Sequence, residues 1–314
     1  MKKRARLVIS EFMEESAVAR LAACYDTHYD RTLVGKPEEL RACVANADAL
    51  IVRNRTQVTA RVIEHAPLLK VLGRLGVGLD NIDLDACKAR KIEVIPATGA
   101  NALAVAEYVI CAAMLLLRRC FLVSPEVARG EWPRGALSEG RELAGKTLGI
   151  VGFGSIGQLT AKLARTLGMR VIAYDTAISP SHSAWKDHGV APVSFEALLA
   201  EADVVTLHVP LLAATRSLID ATRIGEMKRG AILINTSRGG IVDEAALAAA
   251  LKSGQLGAAA LDVFAEEPLR AGSPLAGCPN LVLTPHVAGV TDESNVRVSG
   301  MIADKVAAAL DAIE

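Results

Sequence analysis

Three ionisable side chains in the second half of the chain could act together chemically. Arg238 follows the apolar run 231–235, Glu267 lies in a loop after the run 258–263, and His286 follows the run 281–284. An imidazole titrates near neutral pH and can take or give a proton. A carboxylate can orient that imidazole, and a guanidinium fork can hold a carboxylate or carbonyl group. These residue types predict proton transfer on a small acid, with His286 as the base, Glu267 as its partner and Arg238 as the clamp.

Short β-branched runs that alternate with amphipathic Ala/Leu-rich stretches must position these side chains. Strands are predicted over 6–10, 48–53, 69–74, 92–96, 147–152, 170–175, 203–208, 231–235, 258–263 and 281–284. Helices are predicted over 37–44, 58–66, 101–119, 156–167 and 292–313. The alternation predicts an α/β protein with parallel sheets, covered on both faces. Ligands of such sheets bind beyond the carboxyl ends of the strands, where Asp262 also stands.

A glycine-rich turn joins the predicted strand 147–152 to the predicted helix 156–167. It reads Gly152-Phe-Gly154-Ser-Ile-Gly157, and Asp175 ends the next strand. The first glycine permits a tight turn, the second lets backbone approach a pyrophosphate, and the third allows close helix–strand packing. A carboxylate at the Asp175 position can accept both ribose hydroxyls and would repel a 2′-phosphate. We therefore expect NAD rather than NADP as the cofactor.

Hydride transfer between NAD and a 2-hydroxy acid requires a base, a cation and a partner that orients the base. A lone histidine or arginine at such a position is more often structural, so the prediction depends on the joint occurrence of the three residues downstream of the glycine motif. His208, which ends a strand before Pro210, is a further candidate for the lining of the cofactor site.

Composition excludes several other classes of protein. The 314 residues suggest about two domains. With 35 basic and 35 acidic residues, the chain lacks the basic excess of a binder of nucleic acid or anionic membranes. The six cysteines form no C-x-x-C pair and are expected to be reduced thiols, and no Cys/His cluster has the spacing of a metal site. The apolar runs near the N-terminus and at 108–117 are too short for a signal peptide or a membrane span. We expect a soluble cytoplasmic protein.

The same residues resemble the D-isomer-specific 2-hydroxyacid dehydrogenase family, and the resemblance covers essentially the whole chain. The matching segments are 73–83, 101–107, 152–157, 235–243, 261–268 and 284–289. The resemblance implies a Rossmann doubly wound NAD domain over 99–287. It also implies a smaller flavodoxin-like α/β substrate domain over 1–98, which the C-terminal helix 288–314 completes. The active site would then lie in the cleft between the domains.

The resemblance also implies roles for individual residues. It supports Arg238, Glu267 and His286 as the catalytic set and puts Asp262 near the nicotinamide amide. The expected cofactor-binding residues are Gly152, Gly154, Ser155, Ile156, Gly157, Asp175, His208, Pro210, Thr236, Ser237, Asp262, Ala288 and Gly289. The expected substrate-binding residues are Arg53, Asn54, Arg74, Gly76, Val77 and Gly78. No metal is expected, and the long helix 101–119 is expected to form a homodimer.

Within the family the chain is most similar to short-form phosphoglycerate dehydrogenases, and some segments resemble sulfolactate dehydrogenases. Arg53, Arg55 and Arg74 indicate a substrate with an anionic tail, of the 3-phosphoglycerate or 3-sulfolactate type, although some of these arginines could be structural. Because the chain ends at Glu314, we expect no serine-sensing regulatory domain. The alternatives are an NAD(H)-sensing regulatory protein on the same fold, a formate dehydrogenase, and a structural protein with a vestigial site.

Overall fold

The computed structural model describes residues 4–119 and 123–313. The chain divides into two compact units. One contains residues 1–101 and 290–314, and the other contains residues 102–289. The sequence-based boundaries were set at 98/99 and 287/288.

The first unit is built on a five-stranded parallel sheet. Its strands are β1 (Arg6–Ile9), β2 (Asp26–Tyr29), β3 (Ala49–Val52), β4 (Val71–Arg74) and β5 (Glu93–Pro96), in the order β2-β1-β3-β4-β5. This is the flavodoxin-like order, in which the strand sequence reverses direction between β1 and β3.

Helices cover both faces of this sheet. They are α1 (Glu15–Cys24), α2 (Pro37–Val44), α3 (Ala60–Glu64), α4 (Leu84–Ala89) and the C-terminal α12 (Asp292–Asp311), with a 3₁₀ turn at Arg31–Leu33. Leu7 and Ile9 pack in a core with α1 and α12, while Val8 packs in a core on the opposite face. Gly73 of β4 has to be a glycine, because a Cβ there would lie within 3 Å of side-chain carbons of Ile302 and Val306 on α12.

The second unit is built on a seven-stranded parallel sheet of order β12-β11-β10-β9-β6-β7-β8. Its strands are β6 (Thr147–Val151), β7 (Arg170–Tyr174), β8 (Ala191–Pro192), β9 (Val204–Leu207), β10 (Ala231–Asn235), β11 (Leu256–Leu261) and β12 (Leu281–Leu283). Its helices are α5 (Ala102–Arg118), α6 (Ser124–Ala128), α7 (Ser155–Thr166), α8 (Ser183–Asp187), α9 (Phe195–Glu201), α10 (Ala221–Glu226) and α11 (Glu244–Ser253). The expected α/β class with parallel sheets is confirmed.

The structure adds two strands that the sequence analysis did not predict, both at sheet edges. β2 reads Asp-Thr-His-Tyr and is only half-buried, so it carries no apolar run. β8 has two residues and ends in Pro192, which suits only a short edge strand. The helix predicted over 58–66 is shorter in the structure, as α3.

Within the described residues, no helix is long and apolar enough to cross a membrane. Among residues 4–119 and 123–313, no group of three or more His, Cys, Asp or Glu side chains is arranged to hold a metal ion. Cys24, Cys43, Cys87, Cys111 and Cys278 are free thiols, and Cys120 lies outside the described residues.

Candidate active site

His286 and Glu267 form a hydrogen-bonded pair in the second unit. The imidazole Nδ1 lies 2.8 Å from Oε2 of Glu267, and both side chains are about one-third exposed, at 36% and 35%. An ionised carboxylate can only accept, so Nδ1 carries the proton. Nε2 is then the nitrogen that can exchange a proton with a bound ligand. The other carboxylate oxygen of Glu267 accepts the backbone N–H of Phe264 at 3.1 Å, and this bond fixes the orientation of the carboxylate.

Asp262, at the end of β11, supports the loop that carries His286. Its carboxylate is buried and accepts the backbone N–H groups of Val287 and Ala288, each at 2.8 Å. Its backbone carbonyl accepts the N–H of His286 at 2.8 Å. These contacts hold His286 in a left-handed backbone conformation with φ of 56°, which a non-glycine residue rarely adopts.

A chain of hydroxyl groups extends this support to helix α5. Oγ1 of Thr284 lies 2.6 Å from the Asp262 carboxylate and 2.6 Å from the hydroxyl of Tyr108. Since Asp262 can only accept, the threonine proton goes to Asp262 and Tyr108 must donate to Thr284. Burial raises the pKa of the Tyr108 phenol, and the charge of Asp262 raises it further, so the phenol keeps the proton that it donates.

Arg238 follows β10 in a loop that packs against the loop of Glu267. A Cβ at Gly239 would lie 1.7 Å from the backbone oxygen of Phe264, so only glycine allows the two loops to approach this closely. The side chain of Asn235 accepts the N–H of Ser237 and donates to the carbonyl of Arg238. The structure therefore brings the loop of Arg238 against the loop that positions Glu267.

The glycine motif forms the turn between β6 and α7. Gly152 has φ of 93°, and a Cβ there would lie 2.4 Å from the His208 carbonyl oxygen. Gly157 packs equally tightly, with a Cβ position 2.3 Å from the Gly152 carbonyl oxygen. Gly154 is the N-cap of α7, has open space around its Cβ position and supplies no side-chain cap. Ser155 and Ile156 follow it, so the first turn of α7 is left with N–H groups that can bind an anion.

Asp175, which follows β7, joins the glycine turn to the next loop. One carboxylate oxygen accepts the N–H of Phe153 at 2.7 Å, and the other accepts those of Ala177 at 2.7 Å and Ile178 at 3.2 Å. A carboxylate offers about four acceptor positions, so acceptor capacity remains for a ribose hydroxyl.

The remaining predicted cofactor residues follow β9, β10 and β12. β6 and β9 flank the point where the strand order of this sheet reverses, and the glycine turn and His208 follow these two strands. Nε2 of His208 lies 3.1 Å from Oγ1 of Thr206. Pro210 is exposed, Ser237 donates to the Leu207 carbonyl, and Gly289 ends the loop of His286.

The residues fit a dinucleotide. The hydroxyl of Thr236 is buried and has no hydrogen-bond partner among the described protein atoms, so it is an unsatisfied group next to the predicted nicotinamide contacts. Together with the uncapped α7 terminus and the Asp175 carboxylate, it gives this unit polar groups that suit the pyrophosphate, a ribose and the nicotinamide of a dinucleotide.

In the first unit, Arg74 and Gly76 are interdependent. Nη1 of Arg74 donates to the Leu75 carbonyl at 3.2 Å. A Cβ on Gly76, which has φ of 151°, would lie 1.5 Å from Nη1, so a larger residue there would displace the guanidinium. Val77 is exposed and Gly78 is half-buried.

The loop 53–56 after β3 is anchored through its backbone. The buried Glu11 carboxylate accepts the N–H groups of Arg53, Arg55 and Thr56 at 2.9, 3.2 and 2.8 Å. The Asn81 amide donates to the carbonyls of Arg53 at 3.2 Å and Thr56 at 2.7 Å. The guanidinium of Arg53 is half-buried, and Asn54 and Arg55 are exposed. The anchors use only backbone atoms of the loop, and the exposed side chains of Asn54 and Arg55 stay available for a ligand.

Sequence reasoning missed the supporting residues Glu11, Asn81, Tyr108 and Asn295. Glu11 had a weak signal, because it stands just after a strand in an otherwise apolar segment. Tyr108 had none, because its partner Thr284 is 176 residues away.

Comparisons with known proteins identify the family of this chain. Residues 110–288 match the family model "D-isomer specific 2-hydroxyacid dehydrogenase, NAD binding domain". The chain is 50% identical to the (S)-sulfolactate dehydrogenase of Chromohalobacter salexigens over 97% of this chain and 98% of that protein. It is 42% identical to the D-3-phosphoglycerate dehydrogenase of Archaeoglobus fulgidus over 86% of this chain, but spans only 50% of the length of that relative.

A solved structure leads to the same family. The D-lactate dehydrogenase of Aquifex aeolicus, crystallised with NAD and lactic acid, has a TM-score of 0.84 and 30% identity, and the match covers 98% of this chain and 96% of that chain. The family, the NAD cofactor and the dehydrogenase class expected from the glycine motif and the ionisable residues are thereby confirmed. This chain belongs to the D-isomer specific 2-hydroxyacid dehydrogenase family.

Proposed function

We propose that the substrate is a small 2-hydroxy or 2-oxo acid whose tail carries a sulfonate or a phosphate, with His286, Glu267 and Arg238 as the catalytic residues. The observation that carries the proposal is the 2.8 Å contact between His286 Nδ1 and Glu267 Oε2. It leaves one imidazole nitrogen free to exchange a proton and holds the other next to a negative charge.

The roles follow from the chemistry of each group. In the oxidative direction Nε2 of His286 takes the hydroxyl proton as the carbonyl forms, and Glu267 stabilises the resulting imidazolium. NAD⁺, when bound, would supply the acceptor for the hydride that leaves C2. Arg238 holds the carboxylate or the developing carbonyl oxygen. In the reductive direction His286 returns the proton.

Binding of the NAD is assigned to the predicted cofactor residues. The uncapped first turn of α7, with Gly154, Ser155 and Ile156, would hold the pyrophosphate. Asp175 would accept a ribose hydroxyl, and the unsatisfied hydroxyl of Thr236 would donate to the nicotinamide side. Asp262 acts mainly as a support, because its carboxylate already holds Val287, Ala288 and Thr284.

Binding of the substrate is assigned to the loops after β3 and β4. Backbone N–H groups of Gly76, Val77 and Gly78 would hold the substrate carboxylate, with Arg74 beside them. Arg53 and its neighbour Asn54 would hold the tail. The sulfolactate dehydrogenase relative favours a sulfonate tail, and the phosphoglycerate dehydrogenase relatives keep a phosphate tail as the second candidate.

We also propose a cytoplasmic homodimer that forms through α5. This helix is apolar, and Leu103 and Met114 on it are exposed at 40% and 45%. Met114 lines a surface groove together with Leu167 of α7, which is 40% exposed. An exposed apolar surface of this kind suits contact with a second copy. The free thiols suit a reducing compartment.

The direct test is NADH oxidation, followed by near-ultraviolet absorbance, with a panel of 2-oxo acids. The panel contains 3-sulfopyruvate, 3-phosphohydroxypyruvate, hydroxypyruvate, glyoxylate and pyruvate. We expect one acid with an anionic tail to give a far higher kcat/KM than the uncharged ones. Tight NADH binding without turnover of any acid would overturn the proposal.

A further inference from the structure

Two arginines of the first unit converge on the ring of Phe12. The guanidinium carbon of Arg53 lies 5.8 Å from the ring centroid, and that of Arg31 lies 6.0 Å from it. Both distances are within the range of a cation–π contact. The ring of Phe12 therefore lies close to two positive charges that come from different segments of the chain.

The sheet topology explains the convergence. Arg31 follows β2, Phe12 follows β1 and Arg53 follows β3, and β1 lies between β2 and β3 in the sheet. The strand order reverses direction between β1 and β3, and open parallel sheets bind ligands beyond the carboxyl ends at such a reversal. Phe12 and Arg53 thus stand where this fold favours a ligand.

Arg53 is held in place before any ligand arrives. Its Nη2 donates to Oδ1 of Asn295 on α12 at 2.9 Å, and its backbone is fixed by Glu11 and Asn81. The amide of Asn295 orients the guanidinium without neutralising it. An ordered side chain loses little further entropy on binding, so Arg53 is pre-organised.

The positive charge of this cluster is only partly balanced, by the nearby carboxylate of Glu11. In the part of the chain that the structure describes, neither Arg31 nor Arg53 forms an ion pair with a carboxylate. Glu11 acts on Arg53 electrostatically, but its carboxylate already accepts three backbone N–H groups. Burial lowers the pKa of the Arg53 guanidinium, which means that its charge is partly desolvated. A desolvated guanidinium whose described side-chain hydrogen-bond partner is a neutral amide carries a desolvation cost, and an anionic ligand would offset that cost.

We propose that Phe12, Arg31 and Arg53 form a subsite for a tetrahedral oxyanion, a sulfonate or a phosphate, at the tail of the substrate. The inference rests on the proposed function and deepens it: Arg31 is a second cation for the tail, and Phe12 is the platform that aligns both guanidinium groups. A carboxylate offers two oxygens, which one guanidinium fork can fully engage. A tetrahedral oxyanion offers a third oxygen for the second guanidinium.

The test compares substrates that differ in the tail. Arg31→Gln removes the second cation, and Phe12→Leu removes the platform while keeping an apolar side chain. Lys88→Gln is the matched control, because Lys88 is an exposed cation on α4 of the same unit. The measured quantity is kcat/KM for 3-sulfopyruvate and for 3-phosphohydroxypyruvate, each divided by the value for hydroxypyruvate, whose tail is uncharged.

We expect Arg31→Gln to lower at least one of these ratios by about tenfold, mainly through KM, since a hydrogen bond to a charged group has roughly that effect. Phe12→Leu should lower the same ratio by a smaller factor, and Lys88→Gln should leave it unchanged. The tail with the larger loss identifies the oxyanion. Methanesulfonate, which mimics the tail alone, should inhibit hydroxypyruvate reduction less well in Arg31→Gln than in the wild type.

Two failures are distinguishable. Unchanged ratios in both Arg31→Gln and Phe12→Leu, or equal losses with charged and uncharged tails, would overturn the subsite. No turnover of any 2-oxo acid by the wild type would instead reject the proposed function. Circular dichroism melts identify any variant whose loss comes from misfolding.

Discussion

The hydroxyl of Tyr108 lies 2.6 Å from Oγ1 of Thr284, whose own proton goes to the buried Asp262. Asp262 in turn holds the backbone on the C-terminal side of His286. A residue of helix α5 thereby helps to set the position of the imidazole, although it touches neither His286 nor Glu267 through any described hydrogen bond.

Tyr108→Phe is therefore expected to lower kcat by about three- to tenfold, because one hydrogen bond of the support is lost. NADH affinity should change much less than kcat. Tyr25→Phe is the matched control, since the Tyr25 hydroxyl donates to Asp311 and both residues belong to the first unit. An unchanged kcat in Tyr108→Phe would mean that the hydroxyl chain does not position His286.

His286→Ala removes the proposed base. Turnover should fall by roughly 10² to 10⁴, the usual contribution of a general acid–base group, while NADH binding measured by fluorescence stays largely intact. His65→Ala, at an exposed site after α3, controls for the loss of a histidine. Full turnover by His286→Ala would reject the assignment of the base.

Asp175→Ala tests whether this carboxylate sets the preference for NADH over NADPH. The variant loses the proposed acceptor for a ribose hydroxyl and the anchor of the Phe153 N–H. We expect a higher KM for NADH and a smaller preference for NADH over NADPH, whereas Asp187→Ala, at an exposed position on α8, should keep the wild-type preference. A fixed preference in Asp175→Ala would show that another group binds the ribose.

Arg53→Met separates recognition of the tail from support of the fold. Because the loop is anchored through its backbone, the variant should fold and should lose kcat/KM for 3-sulfopyruvate or 3-phosphohydroxypyruvate by about tenfold or more relative to pyruvate. Equal losses for charged-tail substrates and pyruvate would indicate a structural role for Arg53.

His208 should make the stability of the protein depend on pH. Burial lowers its pKa from 6.5 to about 3, so the folded protein keeps it neutral. Below pH 6.5 the unfolded chain binds a proton that the folded chain does not, and the free energy of unfolding falls as the pH decreases towards 3. Urea midpoints should therefore decrease more steeply with acid in the wild type than in His208→Gln. Parallel curves for the two proteins would contradict this expectation.

The sequence was informative where local chemistry decides the structure. The glycine turn at 152–157 and the β-branched runs before Arg238 and His286 each carry their signal within a few residues. The edge strands β2 and β8 could not be predicted, because a strand paired on one side needs no apolar run. The roles of Tyr108 and Asn295 could not be predicted either, because their partners lie 176 and 242 residues away.

Glu11 and Asn81 bind only main-chain atoms of the loop 53–56. The backbone of the loop is therefore held independently of the exposed side chains at 54 and 55, whereas the side chain of Arg53 also bonds to Asn295. Positions 54 and 55 can therefore be exchanged to suit another acid without changes in the strands beneath the loop, and a change at 53 would call for a matching change at Asn295. Replacing Glu11 or Asn81 would instead disturb the backbone of the loop, whichever side chains the loop carries.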